Sequence, residues 1–400
     1  MFFRRLLNKF NFLNYRKNDL GPLLLSGAAR KAAITFISVF SPIYIYEIGL
    51  KYQLDSRYAI IAVLLFYIIL ILTKVISLAI SENLSQKIGF KHIIWVSSIP
   101  FVFFILSLVF AASYPYLLVL AAMFWGIHAG FFWWGYHGYF IKKGDDSHFG
   151  LNIGEAGFLE TLVAVIFPFL GALIISFWGF NSLYVFSGVF MGIALLLLGK
   201  NHERRQRRDI KFSEVVFLLK SHKSISLAYI GAQAEGTLYT IIWPVFLFLF
   251  FGQVVSLGMV VSVAVFSAAI FSLVLGRWVD KQGERKIISI GTPLVTLSWI
   301  IRIVKKSLPG FIVADSISNF GQRMVGLPLN TLAYKKGTEG GAARAILFRE
   351  TALAIGGLLS LVLLVVWMLC GGKLEDGFII AAVLSTLPLV AVYKKRLLNK

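Results

Sequence analysis

Apolar runs of about 20 residues, the length that crosses a hydrocarbon core of about 30 Å, alternate along this chain with short polar interruptions. They occupy roughly 27–48, 58–80, 93–112, 115–140, 152–177 and 182–199, then 225–251, 254–276, 287–303, 310–334, 345–370 and 377–393. The pattern predicts an all-α integral membrane protein with twelve transmembrane helices, six on either side of one long polar segment. Four regions follow: a basic interfacial segment at 1–26, a six-helix bundle at 27–199, a basic linker at 200–223 and a second six-helix bundle at 224–400. Within the linker, Ile210 to Leu219 reads as an amphipathic helix on the membrane surface, because Phe212, Val215, Val216 and Leu219 share a face.

Charge orients these runs. With the N-terminus inside, 28 of the 39 Lys and Arg residues fall in cytoplasmic segments, and only Lys51, Arg57, Lys305, Lys306 and Lys373 fall in the opposite loops. Both termini are therefore expected on the cytoplasmic side of the plasma membrane. The net charge of +20 is spread over these short segments, which suits contact with membrane lipid and gives no reason to expect a nucleic-acid partner. Only 14% of residues are charged, where soluble domains hold about 25%, so the composition excludes a soluble class. The single Cys370 leaves no disulfide framework and no cysteine metal site. Met1 to Leu20 intersperses Arg4, Arg5, Lys9, Arg16 and Lys17 with apolar residues and lacks a cleavable apolar core; it reads as an interfacial helix. Without a phosphate loop, neither an ATPase nor a cofactor is expected.

Two polar hairpins carry the sharpest motif. The first in clarity is Gly276-Arg277-Trp278-Val279-Asp280-Lys281-Gln282-Gly283-Glu284-Arg285-Lys286. Gly276 lets two helix ends approach, Gly283 suits the positive φ of a tight turn, and Arg277, Arg285 and Lys286 hold the turn on the cytoplasmic face. A weaker copy, Glu82 to His92, lies 194 positions earlier, with Gly89 in the place of Gly283 and Gln86 in that of Asp280. Further echoes recur: Lys142-Lys143-Gly144 with Lys335-Lys336-Gly337, Glu155 with Glu350, and Pro42 with Pro244. The spacing G-x-x-x-D-x-x-G-x-[RK]-[RK] resembles the loop signature of the major facilitator superfamily of secondary transporters, of the bacterial twelve-span type. That resemblance implies two parallel six-helix repeats. It also implies an inner gate in which Asp280 meets the start of the fifth span, Arg277 or Arg285 pairs Glu155, and Gln86, without its charge, faces Arg349 and Glu350.

Ionisable groups inside a membrane are costly, so each is a candidate for function. Arg30, Lys31 and Lys74 lie where long side chains reach headgroups and read as snorkelling groups; Glu47 and Arg302, near outer ends, read the same way. Deeper positions on spans that line the cavity in the resembling family are His128 and His137 on the fourth, Gln233, Glu235 and Tyr239 on the seventh, and Asp315, Ser318, Asn319 and Arg323 on the tenth. Asp315, Ser318, Asn319 and Gln322 share one helical face, which needs water, substrate or a polar helix opposite it. Glu235 is the expected partner of Arg323, either as a structural lock or as a carboxylate that takes up a proton and releases the arginine to substrate. His128 suits proton coupling or a neutral interhelical bond. The aromatic cluster from Trp125 to Tyr139 suits stacking on a flat or amphipathic substrate, and matches an ordinary interfacial belt better still.

Together these readings predict a secondary transporter, not an enzyme. It moves a small molecule by alternating access as a symporter or antiporter, coupled to a proton or cation, and works as a monomer. Two alternatives keep the fold: a receptor or scaffold without flux, and a lipid or amphiphile flippase whose cavity opens sideways to the bilayer.

Overall fold

A computed structural model describes residues 21–143, 149–199 and 212–393. Within them the side chains of 143, 149–159, 212–213, 268–274, 276–277, 279–281, 334–340 and 393 lie outside the description. The described residues are helical throughout, in long helices joined by turns of a few residues. In chain order these are α1 (Gly21–Lys51), α2 (Ser56–Ile88), α3 (Phe90–Val96), α4 (Ser98–Ala111), α5 (Leu117–Lys143), α6 (Phe149–Leu198) and α7 (Phe212–Ser221). There follow α8 (Lys223–Phe251), α9 (Val254–Gln282), α10 (Glu284–Val304), α11 (Leu308–Gly340), α12 (Ala342–Leu369), α13 (Gly377–Leu384) and α14 (Val390–Tyr393).

Nine helical stretches among the described residues are long and apolar enough to cross a membrane, α3 with α4 counting as one and the C-terminal Leu374–Val392 as another. The twelve expected runs map onto fewer elements for identifiable reasons. The fifth and sixth runs form the single α6, whose helical path breaks at Gly179 (φ 76°, ψ 176°). A residue without Cβ reverses the chain there without a loop. In α9 the described apolar stretch is Val254–Ser267, since the side chains of 268–274 lie outside the description, and α11 is diluted by its polar stripe and is not among the nine.

Local chemistry sets the boundaries. Asp55 caps α2, its side chain accepting from the Tyr58 N–H at 2.9 Å. Gly89 (φ 88°, ψ 163°) ends α2 and starts α3, and Gly283 (φ 78°, ψ 151°) does the same between α9 and α10. Both copies of the hairpin motif thus turn on a glycine of similar φ and ψ. Helix α7 forms where an amphipathic helix was expected, but its buried face is Val215 with Leu218 and Leu219, while Val216 and Phe217 are exposed.

Two apolar clusters bracket the middle of the bundle. At the end where α1 finishes at Lys51, buried residues of α1, α2, α4, α8 and α12, among them Phe40, Leu64, Phe104, Trp243 and Leu364, form one core. At the opposite end, where α2 finishes at Ile88, Leu23, Trp134 and Phe140 pack with Val215 of α7 and Ile346 of α12. Close helix contacts position the walls between them. A Cβ on Gly126 of α5 would lie 2.5 Å from the Leu70 carbonyl of α2, and one on Gly130 would lie 2.9 Å from that of Lys74. Across from these, α9 abuts α6, where the Phe169 N–H lies 3.1 Å from Ser262 Oγ.

Candidate functional site

Between the two apolar clusters lie three neighbouring cavities that share lining residues. The largest, about 480 Å³, is lined from α1 by Lys31 and Thr35, from α6 by Glu160, from α8 by Tyr239, and from α11 by Asn319 and Arg323. The second, about 330 Å³, shares Lys31 and Glu160 and adds Arg30, Lys74, Trp125, Phe132, Trp133, Tyr136 and Gln233. The third, about 190 Å³, is lined by Gln233, Glu235, Gln322, Asn330 and Arg349. Volumes of this order match small-molecule sites.

Charge in the first two cavities is unequal. Among the described residues, Arg30, Lys31, Lys74 and Arg323 line them with one carboxylate, Glu160, which attracts Arg30, Lys31 and Arg323. The snorkelling expectation for Arg30, Lys31 and Lys74 is corrected: all three line a cavity inside the bundle. The guanidinium carbon of Arg30 sits 3.3 Å from the centroid of the Phe132 ring, and its Nε is buried without a hydrogen-bond partner. The aromatic belt expected on α5 is likewise corrected, since Trp125, Trp133 and Tyr136 face this cavity.

Beside the third cavity a polar network joins α8, α10 and α11. Arg302, fully buried, pairs Asp315 at 2.6 Å, and Asp315 also accepts from Trp243 Nε1 at 3.0 Å. Trp299, Trp243 and Tyr239 surround the guanidinium at 4.3, 4.7 and 5.2 Å, a cage that favours a cation. Glu235 accepts from Trp299 Nε1 at 2.9 Å and from Gln322 Nε2 at 3.1 Å, while Asn319 donates to the Tyr239 hydroxyl at 3.0 Å. Two expectations change. Glu235 bonds neutral donors rather than Arg323, and Arg302, expected at an interface, is the ion-pair partner of Asp315 because the α10–α11 hairpin folds one onto the other.

A third cluster links α2, α5 and α12. Glu350 of α12, 1% exposed, pairs Lys74 of α2 at 2.6 Å and contacts Arg349 closely, and His137 Nε2 of α5 lies 3.6 Å from it. Arg349 donates in turn to Asn330 Oδ1 of α11 through Nε and Nη2 at 3.1 and 3.0 Å. These bonds run from the first six apolar runs to the second six, on the Ile88 side of the cavities. The expected partner of Glu350 was the Gln86 loop; the partners described are Lys74, His137 and Arg349.

His128 lines none of the three cavities. It is fully buried, its Nδ1 2.8 Å from the Ser97 carbonyl at the break between α3 and α4, and its ring 4.9 Å from Phe101. The side chains of Glu155, Gly276, Arg277 and Asp280 fall outside the described residues, as do residues 1–20 and the Arg-rich part of the linker. Arg285 and Lys286 are exposed, Lys286 donating to Gln282 Oε1 at 2.6 Å. From sequence, Glu160 is placed with Glu155, Arg349 and Glu350 on spans five and eleven but given no role, although it is an isolated carboxylate inside an apolar run and the rule that singled out Glu235 applies to it equally.

Comparison with known proteins gives the following. The family model described as Major Facilitator Superfamily matches residues 29–360. Among solved structures, the human organic anion transporter MFSD10 (TETRAN) superposes with a TM-score of 0.66 at 15% identity, covering 94% of this chain and 99% of the other. The POT family transporter PepTSo superposes with a TM-score of 0.67 at 10% identity, covering 94% and 96%. No curated protein matches by sequence.

Proposed function

Because the chain belongs to the major facilitator superfamily, a family of membrane transporters, we propose that it is a secondary active transporter that moves a small molecule by alternating access. The observation that carries this reading is the cavity system lined by charged residues from both sets of six runs, with bonded or apolar contacts beyond it at either end. An aqueous, charged cavity inside an apolar bundle is expected of a translocation site. In this reading α6 crosses twice about Gly179, and α9 and α11 cross as well, giving twelve spans in two six-helix halves. Both termini are cytoplasmic, so the Ile88 end faces the cytoplasm.

Proton coupling is assigned to Glu235. Its partners are the neutral donors Trp299 and Gln322, so a proton arriving from the cavity changes the charge of the wall without breaking an ion pair. The Lys74–Glu350–His137–Arg349 cluster acts as the cytoplasmic gate. The charged lining also favours a water-soluble substrate over a lipid.

Spin labels test the cycle. With exposed Cys370 replaced by Ser, one labelled pair at Lys87 and Lys286 reports the Ile88 end and another at Arg57 and Gln253 the Lys51 end. Alternating access requires that one distance lengthens as the other shortens when pH is stepped. Two distances that never change, at any pH, sink the proposal.

A further inference from the structure

We infer that the transported molecule is an organic anion with a flat apolar body, and that Arg30 and Lys31 of α1 bind its acidic group; this rests on the transport reading above. Arg30 and Lys31 are adjacent on α1, and both line the cavities inside the bundle. Neither has an ion-pair partner among the described residues, and the carboxylate that attracts both is Glu160. Lys74 is already engaged by Glu350. Among the described residues, one carboxylate thus serves both Arg30 and Lys31. Cations held in a membrane interior are stable only with counter-charge or water beside them. A bound anion supplies the missing charge.

The shape of the wall specifies the rest of the ligand. The guanidinium carbon of Arg30 sits 3.3 Å from the Phe132 ring centroid and 5.3 Å from that of Trp133. Trp125, Trp133, Tyr136 and Tyr67 continue the surface from α5 and α2. A planar guanidinium offers a bidentate fork to a carboxylate, sulfonate or phosphate, and an aromatic wall beside it stacks on a ring. A simple inorganic anion would use the fork and leave the wall unused.

The test compares three probes of one shape: 1-naphthoate, its neutral amide 1-naphthamide, and the cation 1-naphthylmethylammonium, each titrated against detergent-purified protein by quenching of tryptophan fluorescence. The expected result is naphthoate binding at least tenfold tighter than the amide, with the ammonium weakest. Arg30→Gln with Lys31→Gln should abolish that order, whereas Arg30→Lys should keep it. Inorganic phosphate should compete only weakly. Equal affinities for the three probes, or an unchanged order in a double variant that melts like the wild type, overturns the inference. Loading the same protein into liposomes separates the two readings. Naphthoate that binds selectively but shows no counterflow leaves the anion site standing and defeats transport, while label distances that cycle without any anion preference defeat the anion site alone.

Discussion

Asp315 and Glu235 stand on neighbouring helices of one network, yet their surroundings assign them different work. Asp315 is sealed between Arg302 and Trp243 with no exposed surface. Removing one member of such a pair strands a buried charge, at about 3–5 kcal/mol, whereas replacing both with apolar residues of similar size is often neutral. Asp315→Asn is therefore expected to lower the unfolding midpoint sharply, and Arg302→Met with Asp315→Leu to recover most of it. An Asp315→Asn protein as stable as wild type would show the pair to be dispensable. Glu235 behaves differently because its donors are neutral. In Glu235→Gln the amide oxygen still accepts from Trp299, and the Gln322 amide can turn over to meet the new NH₂. Stability should stay within about 1 kcal/mol, while the pH dependence of transport disappears. Persistent pH dependence in that variant would move coupling to another group of the cavity.

At the level of whole helices, small residues decide how the cavity walls stand. Gly126 and Gly130, four apart on α5, let α2 approach until Leu70 and Lys74 carbonyls touch them. Gly126→Ala places a methyl group 2.5 Å from the Leu70 oxygen. It should cost about 1–3 kcal/mol by overpacking and weaken naphthoate binding, since Tyr67 and Lys74 ride on the displaced helix. The same change at Gly188, with nothing within 4 Å, should be neutral or slightly stabilising, as melting of the two variants would show. Such elements were legible in the sequence to different degrees. Long apolar runs and the Gly89 and Gly283 turns act through neighbours along the chain, so they could be read directly. The Asp315, Ser318, Asn319 and Gln322 stripe was legible as a face but not as a contact. What stands opposite it, Trp243, Trp299 and Arg302, depends on how three helices assemble. Arg30 and Lys31 were misplaced for the same reason: their distance from a helix end suggested headgroups, while the wall they meet, Phe132 and Glu160, comes from helices remote in sequence.

Across the molecule the ionic cluster on α2, α5 and α12 lies where the two sets of helices must separate for the cavity to open toward the Ile88 end. Lys74, His137 and Arg349 surround one carboxylate, so Glu350 neutralises groups that otherwise repel. Glu350→Gln removes the attraction and leaves Lys74 facing Arg349. Breaking a buried ion cluster by one partner costs about 3–5 kcal/mol, and a change of that size shifts a two-state equilibrium by two orders of magnitude or more, roughly. The helices themselves keep their contacts, because the apolar core at the Lys51 end is untouched. The expected outcome is a protein that still folds but spends far longer open at the Ile88 end. Gly27 reports this: it lines the second cavity, and a Cβ there meets only ordinary contacts at 3.8 and 3.9 Å. In a Cys370→Ser background, Gly27→Cys should be alkylated by an impermeant maleimide from the Ile88 face, much faster with Glu350→Gln than without. Lys74→Gln should speed it less, because Arg349 and His137 still hold Glu350. Unchanged alkylation in Glu350→Gln would mean that the cluster merely staples α2 to α12, and that the opening is controlled elsewhere along the Ile88 end.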